Sequence, residues 1–172
     1  ERNAHSYRKK GKPIVDGQYK DSAHLDDELI SVAMCTYTGE KYLAEQLDSI
    51  LGQSYRNLEI IIVDDCSTDN TVKLLTDYAS RDSRVCVLQN ESNLGFVRNF
   101  EKAINFCSGH LVALADQDDI WFPDKLRRLS EEIGDNWLIY SKVAVVDANG
   151  VEQNETFPRV NRLEGQCALS LI

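Results

Sequence analysis

From Leu29 onward, apolar residues follow two alternating rhythms. ISVAMCTY is a short, nearly continuous apolar run that suits a buried strand, and it stops at the turn-forming pair Thr38-Gly39. The spacing then becomes helical. Leu43, Leu47, Ile50 and Leu51 share one face of a helix ending near Gly52. LEIIIVDD is a β-branched run, and CSTDNT after it supplies side-chain oxygens to cap a helix striped by Val72, Leu75, Tyr78 and Ala79. VCVLQ reads as a third strand. Asn93 then caps a helix whose apolar face is Val97, Phe100, Ile104 and Cys107. A fourth strand, HLVALAD, precedes a helix with Pro123 in its first turn and Leu126, Leu129 and Ile133 on its inner face. WLIYSKVAVVD reads as extended, and Asn149-Gly150 as a tight turn.

Strands apolar on both faces, alternating with amphipathic helices, predict an α/β fold: a mainly parallel sheet flanked by helices, with right-handed crossovers. In such sheets ligands bind beyond the carboxyl ends of the strands. Residues 1–28 differ. They are polar, mixed in charge and without an apolar period, so they read as a linker or extension ahead of a single domain over 29–172.

Composition narrows the function. Lys and Arg number 19 against 28 Asp and Glu, a net charge of −9, so nucleic acid is not an expected partner. No apolar run approaches the ~20 residues that span a bilayer, and the polar start has no apolar stretch behind it, so no transmembrane segment or address is expected. The 5 cysteines lack CxxC spacing and suit buried reduced thiols in a cytosolic protein. His5, His24 and His110 are scattered, against a histidine metal site.

The strand ends carry the candidate chemistry. Asp116, Asp118 and Asp119 crowd together after an apolar strand, where carboxylates repel one another unless a cation or donors compensate. Hard oxygen ligands suit Mg²⁺ or Mn²⁺, which would bridge a diphosphate. A single Asp after a strand is more often a helix cap, but capping rarely needs three carboxylates. Asp65 at the second strand end can accept the imide N–H of uracil or thymine, though DDCSTDN can equally be turn and cap chemistry. Thr36 and Tyr37 end the first strand; the tyrosine can stack on a base or pack half-buried. Arg98 can meet a diphosphate beside a helix amino end, or remain a solvated helix residue.

ISVAMCTYTGEKYLAEQLDSILGQSY, LEIIIVDDCSTDNT, NLGFVRNFEKAI and ALADQDDIWFPDKL resemble, in unbroken order, the sequence blocks of family 2 glycosyltransferases. DQDDIW, followed by Pro and a Lys-Leu helix, is similar in particular to bacterial enzymes of surface polysaccharide synthesis, including rhamnosyltransferases. The resemblance implies a GT-A fold, Rossmann-like, with this chain covering the donor side and stopping before the acceptor part. It implies an inverting, metal-dependent transfer from a UDP- or dTDP-linked sugar to a glycan or lipid-linked acceptor, in the cytoplasm or at the cytoplasmic face of the membrane. Thr36 and Tyr37 match residues lining the nucleoside pocket, Asp65 the base-binding aspartate, and Arg98 the helix lending basic residues to the donor. Asp116 and Asp118 match the DxD pair, with Asp116 near ribose and sugar, Asp118 on the metal, and Asp119 supporting the loop. Thr38 stands where asparagine is usual, a mild change; Lys142 stands where a YSD-type aspartate is common. The family's base-bearing block has no counterpart here, so no catalytic base is named and the segment alone is expected to bind donor without transferring sugar.

Other readings fit less well. Haloacid dehalogenase-type phosphohydrolases place DxD early in the domain, and a receiver domain has no place for DQDD. A sugar-nucleotide pyrophosphorylase needs a Gly-rich loop where this chain has CTYTGEKY. A non-catalytic nucleotide-sugar-binding module remains the alternative outside enzymes.

Overall fold

The structure, a computed structural model, describes residues 28–146 and 152–157. Strands Ile30–Thr36 (β1), Leu58–Asp64 (β2), Val85–Gln89 (β3) and Leu111–Ala115 (β4) form one parallel sheet in the order β3-β2-β1-β4. Helices Leu43–Leu51 (α1), Thr71–Arg81 (α2) and Phe96–Phe106 (α3) connect them, and Lys125–Glu132 (α4) follows.

Alternation along β1 and β2 sorts side chains between two faces. Ile30, Val32, Met34, Ile60 and Ile62 join Leu43, Leu47 and Ile50 of α1, Leu75 of α2 and Leu126 of α4 in the main core. Ala33 and Val63 point the other way, against Ala103 and Cys107 of α3. Burying a leucine or isoleucine as completely as Leu47 or Ile50, both 0% exposed, contributes about 1.5–3 kcal/mol each. Small residues on the α3 side let that helix approach the sheet closely.

The connections through α1 and α2 run from β1 toward β3 on one face. The chain then crosses back over the opposite face through α3 to reach β4. Reversing direction while changing face keeps one handedness, as expected for parallel crossovers. β1 and β4 therefore flank a topological switch point, where neighbouring strands are followed by connections running opposite ways.

At the opposite end of the sheet, Glu59 accepts from Ser31 Oγ, Ser108 N and Oγ, and Gly109 N. Gly109 is required there, because a Cβ would come within 2.6 Å of Leu29 O and Ser31 Oγ.

Several local expectations change. The buried face of α3 is Asn99, Phe100 and Ala103, whereas Val97 is 75% and Ile104 40% exposed; the face is rotated because two small or polar groups meet the sheet. Asn93 does not cap α3. Gly95 is the N-cap residue, and Asn93 Oδ1 accepts from its N–H. Pro123 precedes α4 in a turn, since helix begins only after Asp124. Of WLIYSKVAVVD, only Val143–Val146 (β5) is strand, paired antiparallel with Glu152–Phe157 (β6); residues 137–142 have no strand partner among the described residues. The cysteines are less buried than expected: Cys35, Cys66 and Cys107 are half-buried and Cys86 is exposed, all free. Asn149-Gly150, residues 1–27 and Cys167 lie outside the described residues.

Candidate functional site

The carboxyl ends of β1 and β2 are held together by short side-chain bonds. Thr36 Oγ1 donates to Asp64 Oδ1 at 3.0 Å, and Ser67 donates to Asp64 through both N and Oγ. The loop after β1 hangs from the loop after β2: Thr38 N donates to Ser67 Oγ, Gly39 N to Thr71 Oγ1 and Glu40 N to Asp69 Oδ2. The STDNT oxygens thus serve the neighbouring loop as well as α2, whose Thr71 N donates to Asp69 Oδ1. Thr38 adopts φ +48° and Cys66 φ +66°, a left-handed region that costs a β-branched residue most. Asparagine tolerates that backbone better than threonine, so Thr38 is strained there.

Gln117, between the two aspartates of the motif, clamps β1 to β4. Its Oε1 accepts from Tyr37 N at 2.8 Å and its Nε2 donates to Tyr37 O at 3.1 Å. A Cβ on Gly39 would come within 2.4 Å of the Gln117 side chain, so the TG turn leaves the room this clamp occupies.

Asp65, 4% exposed, receives Asn90 Nδ2 and Leu94 N on Oδ1, both at 2.7 Å, and Gly95 N on Oδ2 at 2.9 Å. It ties the entry of α3 to the end of β2. Since a carboxylate oxygen accepts two bonds, Oδ2 keeps one acceptor position.

Asp116 is half-buried and Asp118 exposed. Burial first, then the carboxylates of Asp119 and Asp118, push the Asp116 carboxyl up to about 6, a crowding that a divalent cation relieves. Asp119 does not line the cleft. Burial also raises its carboxyl, Lys125 opposes that rise and Asp118 adds to it. Burial lowers the Lys125 ammonium to about 8 against the pull of Asp119, and it stands 4.0 Å from the Trp121 ring centroid. Among the described residues no group of three metal-type side chains is preassembled. Two hard carboxylates at a cleft wall still fit Mg²⁺ or Mn²⁺, because Mg²⁺ sites commonly use one or two carboxylates and complete their shell with phosphate oxygens and water.

Tyr37, Asp65, Asp116 and Asp118 line one cleft of about 410 Å³ together with Thr36 and Phe96. Tyr37 and Phe96 are each 49% exposed, so the cleft offers two aromatic rings to a planar group. Arg98, exposed on the first turn of α3, is outside that lining. Cys35 is inside it, but burial first, then Asp116 and Asp65, push its thiol up to about 12, so it is a poor nucleophile near neutrality.

Pattern reading missed Phe96, which it left on a helix start, and the anchors of the aspartate loop. Ser49 Oγ accepts Trp121 N, Ser54 N donates to Pro123 O, and buried Gln53 bonds Ser49 O, Phe122 O and Leu126 N. No local pattern marks these anchors, whose partners lie 69 to 73 residues away.

A family description, Glycosyl transferase family 2, matches residues 31–167. The chain is 29% identical over 153 residues to WfgD of Escherichia coli, a UDP-Glc:alpha-D-GlcNAc-diphosphoundecaprenol beta-1,3-glucosyltransferase, covering 86% of this chain and 60% of that one. Of solved structures, S. aureus TarS in complex with UDP superposes with TM-score 0.56 at 32% identity, over 60% of this chain and 31% of TarS. A mannosyltransferase from Pyrobaculum calidifontis, in complex with GDP-Man and Mn²⁺, shares the fold with TM-score 0.59 at 23% identity, over 69% of this chain and 35% of that one. The chain spans 31%, 45% and 60% of the length of three curated relatives it matches.

Proposed function

This chain belongs to glycosyl transferase family 2, and from that premise we propose that it forms the donor-binding part of an inverting, metal-dependent enzyme. The donor is a UDP- or dTDP-linked sugar and the acceptor a glycan or lipid-linked glycan of cell-surface polysaccharide synthesis. One observation carries the reading: a single cleft at the strand ends brings Asp65, Tyr37, Asp116 and Asp118 together. A base acceptor, an aromatic ring and two carboxylates are what a nucleoside diphosphate needs.

Asp65 accepts the imide N–H of the base through its remaining Oδ2 position, and Tyr37 and Phe96 offer rings beside it. Thr36, its hydroxyl committed to Asp64, sets the floor between them. Asp116 and Asp118 would hold Mg²⁺ or Mn²⁺, which would supply neutralisation of charge on the leaving diphosphate. Arg98, exposed on the first turn of α3, is the basic residue that would add its charge to the donor. The acceptor oxygen attacks the anomeric carbon as its bond to the diphosphate breaks, which inverts that centre. None of the described residues is assigned the proton of the acceptor hydroxyl.

The test is calorimetry of UDP and dTDP on the full-length protein with Mn²⁺ and with EDTA. Binding is expected only with the metal, and Asp118→Asn is expected to weaken it at least tenfold, more than Asp119→Asn does. Equal affinity in EDTA refutes the metal assignment, and equal losses in the two variants refute the ordering of Asp118 over Asp119.

A further inference from the structure

Behind Asp65 lies a chain of polar side chains that the donor reading leaves without a role. Lys102 Nζ donates to Asn90 Oδ1 at 2.7 Å. Asn90 Nδ2 donates both to Asp65 Oδ1 at 2.7 Å and to Asn99 Oδ1 at 2.8 Å. Asn99 Nδ2 ends the chain on Val63 O at 2.9 Å, one residue before the end of β2. Asn90 is 5% and Asn99 2% exposed, so water does not readily replace these partners.

The direction of each bond is fixed from both ends: Val63 O orients Asn99, while the Lys102 ammonium and the Asp65 carboxylate together orient Asn90. An asparagine amide is nearly symmetric in shape, and only its partners decide which way it faces. With the Lys102 ammonium on one side, Asn90 must turn its oxygen outward and its NH₂ toward Asp65. The reverse orientation would set an amide oxygen against the carboxylate and an NH₂ against the ammonium. Held this way, Asn90 and Leu94 N fill both acceptor positions of Asp65 Oδ1. Gly95 N fills one on Oδ2. The single acceptor left to the cleft is therefore on Oδ2, in a fixed direction.

We propose that Lys102, acting through Asn90, is a positioning residue for base selection: by holding the Asn90 amide on Asp65 Oδ1 it leaves Oδ2 to meet the nucleobase. The proposal rests on Asp65 being the base acceptor. A base with a ring N–H at the pairing edge, as uracil has, gains from an acceptor held in one direction, whereas cytosine presents a ring nitrogen that repels it. Lys102 itself touches no substrate. A purely structural network would instead tie α3 to the sheet and affect all nucleotides alike.

The experiment measures UDP and CDP affinities with Mn²⁺ on the full-length protein for wild type, Lys102→Met, Lys102→Arg and Asp65→Asn, beside thermal unfolding. For Lys102→Met the UDP affinity is expected to fall about five- to tenfold, the size of one ordinary net hydrogen bond because Lys102 acts only through Asn90, with CDP changed by less than about twofold on the same reasoning. Lys102→Arg should restore most of the UDP preference. If Lys102→Met does not fold, Lys102→Gln, which keeps a neutral donor, should give an intermediate preference. Equal losses for UDP and CDP, or an unchanged ratio, in a folded Lys102 variant overturn the positioning role. An Asp65→Asn variant that keeps the wild-type UDP/CDP ratio instead overturns the base-pocket reading, so the two failures are separable.

Discussion

Replacing Gln53 with methionine tests whether the aspartate loop is held by α1. The side chain is 0% exposed. Its Nε2 donates to Ser49 O at 3.1 Å and Phe122 O at 2.8 Å, while its Oε1 accepts Leu126 N at 3.0 Å. Methionine matches its length and fills the same space, so little cavity cost enters and the change isolates the three bonds. Leu126 N is buried in the first turn of α4, and taking away its Gln53 acceptor costs about 1–3 kcal/mol. The two carbonyls are part-buried and add about half as much again, for about 2–4 kcal/mol in all. For a domain of this size that lowers the midpoint of thermal unfolding by roughly 4–16 °C. Gln53→Glu should be at least as damaging, because it sets a buried carboxylate against two carbonyl oxygens. Urea unfolding of wild type and both variants, with Mn²⁺-linked UDP binding measured on each, checks this. The loop of Asp116 and Asp118 is expected to loosen and binding to weaken even where the variant remains folded. A loss of less than about 1 kcal/mol in Gln53→Met, or a Gln53→Glu as stable as wild type, refutes the argument that these bonds hold the loop.

Two further outcomes follow from the same structure. Glu59 would be raised by burial alone, but the bonds from Ser31, Ser108 and Gly109 outweigh this and hold its carboxyl below the ordinary 4.5. Its stabilisation is therefore complete above that value and is lost as pH falls through the lower folded value. Glu59→Gln should cost about 1–2 kcal/mol near neutrality, and the gap to wild type in urea should narrow below about pH 4; a gap that is constant with pH contradicts the assignment. Thr38→Asn should stabilise by about 0.5–1 kcal/mol, since the exposed side chain sits at φ +48° where a β-branched residue is strained and asparagine is not. A lower urea midpoint in that variant would show that the threonine makes a compensating contact.

What the sequence showed and what it hid divide along the range of the interactions. The order of strands and helices was legible because each depends on side chains two to four positions apart, and Leu43, Leu47 and Ile50 fell on the buried face as their spacing required. The strand ends were legible too, because a parallel sheet covered on both faces leaves its polar residues where the strands stop. Thus Thr36, Asp65, Asp116 and Asp118 meet in one cleft. The α3 face was misjudged for the converse reason. Hydrophobicity favoured Val97 and Ile104, yet the residue turned to the sheet is Asn99, whose amide serves Val63 O and Asn90, and the backbone of a strand end selects a donor over a larger apolar group. Asn93 failed as a cap for a similar reason. The N–H groups of Leu94 and Gly95 at the entry of α3 are met by Asp65, which lies 29 and 30 residues earlier in the chain. Gln53 and Gln117 look like ordinary polar residues in any short window, yet they close loops of 73 and 80 residues. Only the fold brings their partners within reach. Local pattern therefore points to the cleft at the ends of β1, β2 and β4 as the candidate site, while the side chains that hold it in register are those whose spacing carries no pattern at all.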